Sequence, residues 1–485
     1  MKYQENPVVS AVYDANSAGG KLMNPFLEAM PELMDKEVFF GKIASLPPMP
    51  YNLMELSGEE RRRYLPVLQS LYYPMDYMYN IYDMLYRAVT ATYTSRTTMD
   101  SIRQMNIIHE DFRGGFGNAV FSTQGDSGSI LGVPGIGKTS TIRRCLGLMP
   151  QVIVHTKYKD KPFYERQITH LIVECPSDCS VKTLAFNIIE AVDRAIGSQY
   201  YENAARLRSN SASSLATQVK IICLNHHIGL LVIDEIQNAV TTAQKNKQVK
   251  PLVKLLVELT NDTNTSVYFV GTPLAEELFL SQEHLKRRTR GLRLLPLKPG
   301  GLYREFLKVI WAYQFTRKRV ELTDRLANVI YDYSGGIPAY ICKIFQEAQV
   351  QAILTGKEIV DEPTIMRAVK MLAIEIPKRY IKGSYISDFT DETGYEPIED
   401  ASLPEAVEGC AEYPARVVDD STRNTKTELP ACEAEEVPRL YAKPRGRKKT
   451  QRDPMDLLEI LKLAKSSEAM MAALDKYNML EVIKC

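Results

Sequence analysis

A glycine-rich segment from Gly132 to Thr139 reads GVPGIGKT and has the spacing of a phosphate-binding loop. Its three glycines let the backbone curl so that several N–H groups point at one cluster of phosphates. Lys138 supplies an ammonium group for the β- and γ-phosphates, and Thr139 supplies a hydroxyl ligand for Mg²⁺. The segment therefore predicts a nucleoside triphosphate site with Mg²⁺. The residues expected to bind the nucleotide are Gly132, Pro134, Gly135, Ile136, Gly137, Lys138, Thr139, Ser140 and Asp234.

Two acidic residues, Asp234 and Glu235, follow the apolar run Leu230 to Ile233. A short, continuous apolar run of this kind is typical of a buried parallel strand. Asp234 is expected to hold Mg²⁺ together with Thr139, and Glu235 to act as the base that orients and deprotonates the attacking water. The alternative is that Glu235 is an ordinary surface residue after a strand.

Two further segments could contribute to hydrolysis. Thr272 follows the apolar run Val267 to Val270, where a polar group would lie near the γ-phosphate and help to position water. Thr272 could instead cap a helix, because Pro273 suits a first helical turn. Arg287 and Arg288 lie in a basic run, and one of them could reach a neighbouring subunit's γ-phosphate and supply transition-state charge. The alternative is a solvated or DNA-facing basic surface.

The elements that must position these residues alternate between apolar runs and helical patterns, which predicts a doubly wound α/β domain with a parallel sheet. Four helical patterns follow Leu295 and predict a helical lid. Residues 384–442 contain fifteen acidic and four basic side chains with five prolines, a composition that predicts a disordered linker. The predicted domains are a helical N-terminal extension (1–115), the α/β nucleotide-binding domain (116–298), the lid (299–382), an acidic linker with a basic cluster (383–452) and C-terminal docking helices (453–485).

Composition limits the class of protein. The 485 residues have a net charge of +1, so any nucleic-acid surface must be a local patch rather than a global excess. The eight cysteines are scattered, and only Cys175 and Cys179 lie close together without a second ligand pair nearby, which argues against a zinc site. Reduced thiols and the lack of an apolar run of eighteen residues predict a cytoplasmic protein without a membrane span.

Eight tyrosines lie between Tyr64 and Tyr93, at offsets that suit one face of a helix. The first interpretation is that they pack against the next domain. The alternative is an exposed surface that binds a partner.

Several segments resemble the TnsC/TniB family of AAA+ ATPases, the transposition regulators of Tn7-like transposons. The order of loop, strand-Asp-Glu, strand-Gly-Thr, paired arginines and lid is similar to that of the AAA+ class. The narrower matches are the Asn24 to Pro31 segment, Leu46-Pro47-Pro48, Glu60-Arg61, Tyr72 to Met75, Glu174 to Lys182, and Ser334 to Pro338. The chain departs from the pattern at Thr92 to Thr98, and at Ala339-Tyr340, where many AAA+ proteins carry a lid arginine.

The resemblance implies an ATP-dependent ring or filament on double-stranded DNA. Such a homo-oligomer would receive a target signal from a TnsD/TniQ-type protein and recruit TnsA/TnsB-type transposase subunits, with hydrolysis for disassembly. It also implies a DNA-backbone contact near Lys182. Lys157, Lys159 and Lys161 are further candidates for phosphate contacts that carry no sequence preference.

The C-terminal region could provide other contacts. The basic cluster from Lys443 to Lys449 could tether the chain to DNA or could simply be solvated. The segment Met455 to Ile483 could dock on a transposase subunit.

Two other functions remain open at this level. An AAA+ replication initiator or helicase loader shares the nucleotide-binding motifs, although no helix-turn-helix DNA reader or helicase-docking segment is evident. A sensory P-loop protein would carry repeat arrays, and the sequence shows no internal repeats.

Overall fold

The computed structural model describes residues 8–13, 24–53, 55–94, 125–206, 211–239, 249–276, 291–374 and 395–398. For residues 249–250 and 395–398 only the backbone is described. None of the helices in these segments has the length and apolar content needed to cross a bilayer.

A six-stranded sheet forms the centre of the α/β region. Its strands in spatial order are β5 (His170–Glu174), β6 (Leu230–Asp234), β7 (Ser266–Gly271), β2 (Ser127–Gly132), β8 (Gly291–Leu294) and β9 (Tyr395–Ile398). The first five are parallel, so their carboxyl ends share one edge of the sheet. The predicted parallel sheet is therefore confirmed.

The last strand, β9, pairs antiparallel with β8 and falls inside the segment predicted to be a disordered linker. Residues 395–398 form a short strand at the edge of the sheet beside β8. The rest of the linker, the basic cluster and the C-terminal helices lie outside the described residues.

Helices cover both faces of the sheet because side chains alternate along each buried strand. Leu231 and Ile233 face a core shared with α6 (Val181–Ile196), α8 (Ala212–Asn225) and α9 (Val249–Thr263). Leu230 and Val232 face a second core, which they share with the N-terminal helices, the helix that follows the glycine-rich segment, and the lid. The short helix α7 (Tyr200–Arg206) follows α6.

The N-terminal helices are α1 (Pro25–Glu28), α2 (Lys36–Ile43), α3 (Gly58–Tyr64) and α4 (Asp76–Thr94), with a 3₁₀ turn at Leu65–Gln69. Of the tyrosine stripe, Tyr77, Tyr82, Tyr86 and Tyr93 are buried, which confirms packing for these four. The Tyr93 hydroxyl donates to the carbonyls of Ile168 and His227, so α4 closes the amino-terminal edge of the sheet. The buried Asn24 caps α1 and donates to the Tyr93 carbonyl at 2.6 Å.

A smaller sheet contains β1 (Val8–Ser10), β3 (Val152–Tyr158) and β4 (Lys161–Ile168). The turn between β3 and β4 has Lys159 and Asp160 at positive φ, as a tight hairpin turn requires. The strand β4 was not predicted, because its run of mixed polar residues lacks a clear apolar pattern.

The lid contains α10 (Gly301–Trp311), α11 (Asp324–Ser334), α12 (Pro338–Leu354) and α13 (Glu362–Leu372). All four helical patterns predicted after Leu295 are confirmed as helices. The ring of Trp311 stacks on Phe345 at a centroid distance of 4.9 Å and joins α10 to α12 in the lid core.

Candidate functional site

The glycine-rich loop lies between β2 and α5 (Lys138–Leu146), at the carboxyl edge of the sheet. Gly135 and Gly137 have φ of +83° and +101°, a region that only glycine adopts without strain. Gly137 is the residue before the first turn of α5, so the loop leads directly into a helix N-terminus. This is the backbone geometry that binds phosphate. Ile136 anchors the loop in the core, whereas Pro134 and Ser140 are exposed.

The Lys138 amine lies within its own loop and donates to the carbonyls of Gly132 at 2.8 Å and Val133 at 3.2 Å. Burial lowers the pKa of Lys138, and the nearby carboxylates of Glu235 and Asp234 oppose that shift. The Lys138 amine therefore lies beside two acids at the loop, where it can pair with phosphate oxygens.

The structure brings Thr139 and Asp234 into direct contact. The Thr139 hydroxyl donates to Asp234 Oδ2 at 2.8 Å, although 95 residues separate the two in sequence. Asp234 ends β6 and is buried. A hydroxyl and a carboxylate at this distance fit the oxygen ligands that Mg²⁺ takes. In the described segments no three His, Cys, Asp or Glu side chains group as a metal site.

Glu235 follows Asp234 directly and has a positive φ of +57°. Its backbone N–H donates to Asp234 Oδ1 at 2.9 Å. A non-glycine residue in this region is uncommon, and such residues concentrate at functional sites. The chain turns sharply after β6, and this turn places the second acid beside the first at the mouth of the loop.

The strand β7 lies between the loop strand β2 and the acid strand β6. Thr272 follows β7 and therefore lies at the sheet edge between the glycine-rich loop and the acid pair. Its hydroxyl is buried and has no hydrogen-bond partner among the described residues. A buried hydroxyl without a partner is a candidate contact for a ligand or water.

One residue at this edge was not predicted. The Gln237 amide nitrogen donates to Glu235 Oε2, and its amide oxygen accepts from the Thr272 N–H at 3.0 Å. Only the turn after β6 brings these groups together, so the sequence carries no signal for the contact.

Residues 122–279 match the family model described as an AAA domain. The chain has an AAA+ P-loop fold. Comparison with curated proteins gave no match.

Three solved structures illustrate the likeness. Orc1 of Aeropyrum pernix in complex with DNA is 14% identical with a TM-score of 0.35, over 56% of this chain and 64% of that one. Cdc6p from Pyrobaculum aerophilum is 13% identical with a TM-score of 0.33, over 61% and 73%. The Thermotoga maritima RuvB Holliday junction branch migration motor is 14% identical with a TM-score of 0.29, over 57% and 70%. The chain thus spans less than two thirds of the Orc1 chain, and the DNA and branch-migration roles belong to those proteins.

The remaining predicted site residues are three lysines and two arginines. Lys157 and Lys159 are exposed near the tip of the β3–β4 hairpin, and Lys182 is exposed in the first turn of α6. Arg287 and Arg288 lie outside the described residues. Arg293 forms an ion pair with Glu276 within the same chain.

The lid contacts the glycine-rich loop through its backbone. The Ala339 N–H at the start of α12 donates to the Gly135 carbonyl at 3.2 Å. A Cβ added to Gly135 would meet Ala339 and Ile337 at 3.1 and 3.2 Å. The lid therefore places a backbone amide and the apolar side chains of Ile337 and Ala339 against the loop.

Gly336 sets this lid contact. It has φ +71°, and a Cβ there would lie 2.0 Å from the Leu297 carbonyl oxygen, while its own carbonyl accepts from Leu297 N–H. Gly336→Ala is therefore expected to lower the free energy of unfolding by about 1–3 kcal/mol, measured by urea denaturation. Gly301→Ala is the control, because nothing lies within 4 Å of a Cβ at that first position of α10. Equal free energies of unfolding for the two variants would show that the lid does not need the positive φ of Gly336.

Proposed function

We propose that the chain is an ATPase that hydrolyses ATP with Mg²⁺ at the edge formed by β2, β6 and β7. The contact between the Thr139 hydroxyl and Asp234 at 2.8 Å carries this proposal, because it joins the loop and the acid strand at one point. The loop amides and Lys138 would hold the phosphates, and Thr139 with Asp234 would hold Mg²⁺. The bound ion would neutralise charge on the phosphates.

Glu235 is the proposed base. Its carboxylate lies close enough to Lys138 to favour the charged amine. A carboxylate beside the phosphate site can accept a proton from an attacking water, and Thr272 would hold that water.

We further propose that the protein assembles on double-stranded DNA with ATP and regulates transposition. The support is the family resemblance of the motifs from Asn24 to Pro338, together with exposed lysines on the hairpin and on α6. A TnsD/TniQ-type selector and TnsA/TnsB-type transposase subunits would be its partners. A replication initiator or helicase loader is the competing role.

Electron microscopy with double-stranded DNA tests this proposal. Rings or filaments are expected on DNA with a non-hydrolysable ATP analogue, and not with the Lys138→Ala variant. Monomers indifferent to nucleotide and DNA would overturn the assembly proposal. Assembly that depends instead on a replicative helicase would favour the competing role.

The exposed lysines make a separate prediction for DNA affinity. Replacing one lysine that binds a DNA phosphate is expected to reduce the slope of log affinity against log salt by about 0.9. Lys157→Ala, Lys159→Ala and Lys182→Ala are therefore expected to weaken binding about equally for all DNA sequences, as measured by fluorescence anisotropy over a salt series. Lys370→Ala, an exposed lysine at the end of α13, is the control. An unchanged slope in all three variants would place the DNA surface elsewhere.

A further inference from the structure

The turn after β6 contains a side chain that touches both predicted hydrolytic groups. The Gln237 amide nitrogen donates to Glu235 Oε2, and its amide oxygen accepts from the backbone N–H of Thr272 at 3.0 Å. Only this orientation of the amide satisfies both neighbours, because a flipped amide would set oxygen against carboxylate and nitrogen against N–H. The chemistry of the two partners thus fixes how Gln237 is oriented.

The bond holds one oxygen of Glu235. The Glu235 backbone is already turned by its positive φ and by the bond from its N–H to Asp234 Oδ1. With Oε2 held by Gln237, the direction of the carboxylate is set, and the other oxygen is left to accept a proton. A base must be oriented in this way to act efficiently on one bound water.

The end of β7 is shaped around Gln237. A Cβ added to Gly271 would lie 2.6 Å from Gln237 Oε1 and 2.8 Å from Ile236 Cγ2. Any side chain at position 271 would therefore displace the amide. The neighbouring Asn238 fixes the same turn differently, because its amide donates to the Cys175 carbonyl at 3.0 Å, on the side of β5.

We propose that Gln237 is a positioning residue that orients Glu235 for hydrolysis and links that orientation to Thr272 at the end of β7. This inference rests on the proposed ATPase function. The Thr272 hydroxyl is buried and has no hydrogen-bond partner among the described residues, and the Thr272 backbone N–H donates to Gln237. A movement of Thr272 on nucleotide binding is thereby transmitted to the carboxylate through a single side chain.

The test compares kcat with nucleotide affinity. Gln237→Met keeps the length of the side chain and removes both bonds, whereas Gln237→Glu keeps the acceptor for Thr272 and removes the donor to Glu235. Both variants are expected to lower kcat by about 10²-fold, as misplacement of a reacting group does, with ATP-analogue affinity changed less than about twofold. Gly271→Ala is expected to give the same pattern. A merely structural role would instead lower the melting temperature and nucleotide affinity together.

Two controls separate the outcomes. Asn238→Ala removes the side-chain bond to the Cys175 carbonyl and leaves the Glu235 carboxylate and its bond from Gln237 in place, so it is expected to lower the melting temperature with little change in kcat. A Gln237→Met, Thr272→Val double variant is expected to lower kcat by less than the product of the single effects, because the two residues act in one linkage. Wild-type turnover that is abolished by Glu235→Gln but unchanged by Gln237→Met would overturn this inference alone. Absence of wild-type turnover would overturn both this inference and the proposed function.

Discussion

Replacing Glu235 with glutamine is expected to slow ATP turnover by about 10²–10⁴-fold while leaving nucleotide binding intact. The amide has nearly the same shape as the carboxylate but cannot accept a proton from water. Lys138, Thr139 and Asp234 remain in place, so the groups proposed to hold the phosphates and Mg²⁺ are unchanged. Steady-state phosphate release and the binding of a fluorescent ATP analogue measure the two effects separately.

If the protein assembles on DNA as proposed, the same variant is expected to form assemblies that persist, because the proposed disassembly step uses hydrolysis. Glu190→Gln, a substitution of the same chemistry at an exposed position of α6, is the control for the change of charge. Rapid turnover in the Glu235→Gln variant would exclude Glu235 as the base. Loss of ATP binding would show instead that the residue holds the nucleotide.

The centre of the site could be predicted from the sequence because its chemistry is local. The loop residues are contiguous, and the acids directly follow the apolar strand β6. The contact between Thr139 and Asp234 then follows from the shared edge of a parallel sheet. The buried strands β6 and β7 were predicted for the same reason, because a continuous apolar run needs no knowledge of its neighbours.

Contacts that depend on tertiary geometry could not be predicted. The strand β8 is four residues long and contains an arginine, so its sequence lacks a clear apolar run. Only its pairing with β2 in the structure identifies it as a strand. In the sequence Gln237 is an ordinary polar residue after a strand. Only the turn at Glu235 in the folded chain brings it to Thr272. The tyrosine stripe could be predicted in part. Its spacing predicted one face of a helix, but only the packing in the structure shows which of the tyrosines are buried.

The contact between Arg61 and Glu358 spans 297 residues and joins the N-terminal helices to the lid. Arg61 is 1% exposed, and its guanidinium donates to Glu358 at 2.5 and 2.6 Å and to the carbonyls of Phe315 and Leu56. Nothing in the local sequence around Glu60-Arg61 indicates the distant partner. This contact matters because the lid that it anchors also contacts Gly135.

Arg61→Leu is therefore expected to lower the free energy of unfolding by about 3–5 kcal/mol, because it removes the donor of the Leu56 and Phe315 carbonyls and leaves the Glu358 carboxylate with the Arg317 N–H in place of the guanidinium. The bond from Arg61 holds the pKa of Glu358 below its usual range. A carboxyl whose pKa is lower in the folded state stabilises the fold at neutral pH, and that contribution is lost as the pH falls below the ordinary value of 4.5. Urea denaturation at neutral and acidic pH measures both effects, and Arg61→Leu is expected to remove this part of the acid dependence.

The ion pair between Arg304 and Asp324 provides the matched control. It joins two helices within the lid, but it is solvent-exposed. Arg304→Ala is expected to cost less than about 1 kcal/mol, because water screens and solvates exposed charges. If Arg61→Leu were no more destabilising than Arg304→Ala, the N-terminal helices would not be anchoring the lid. If the lid is anchored as described, Arg61→Leu also weakens ATP binding, because the backbone contact between Ala339 and Gly135 depends on where α12 begins.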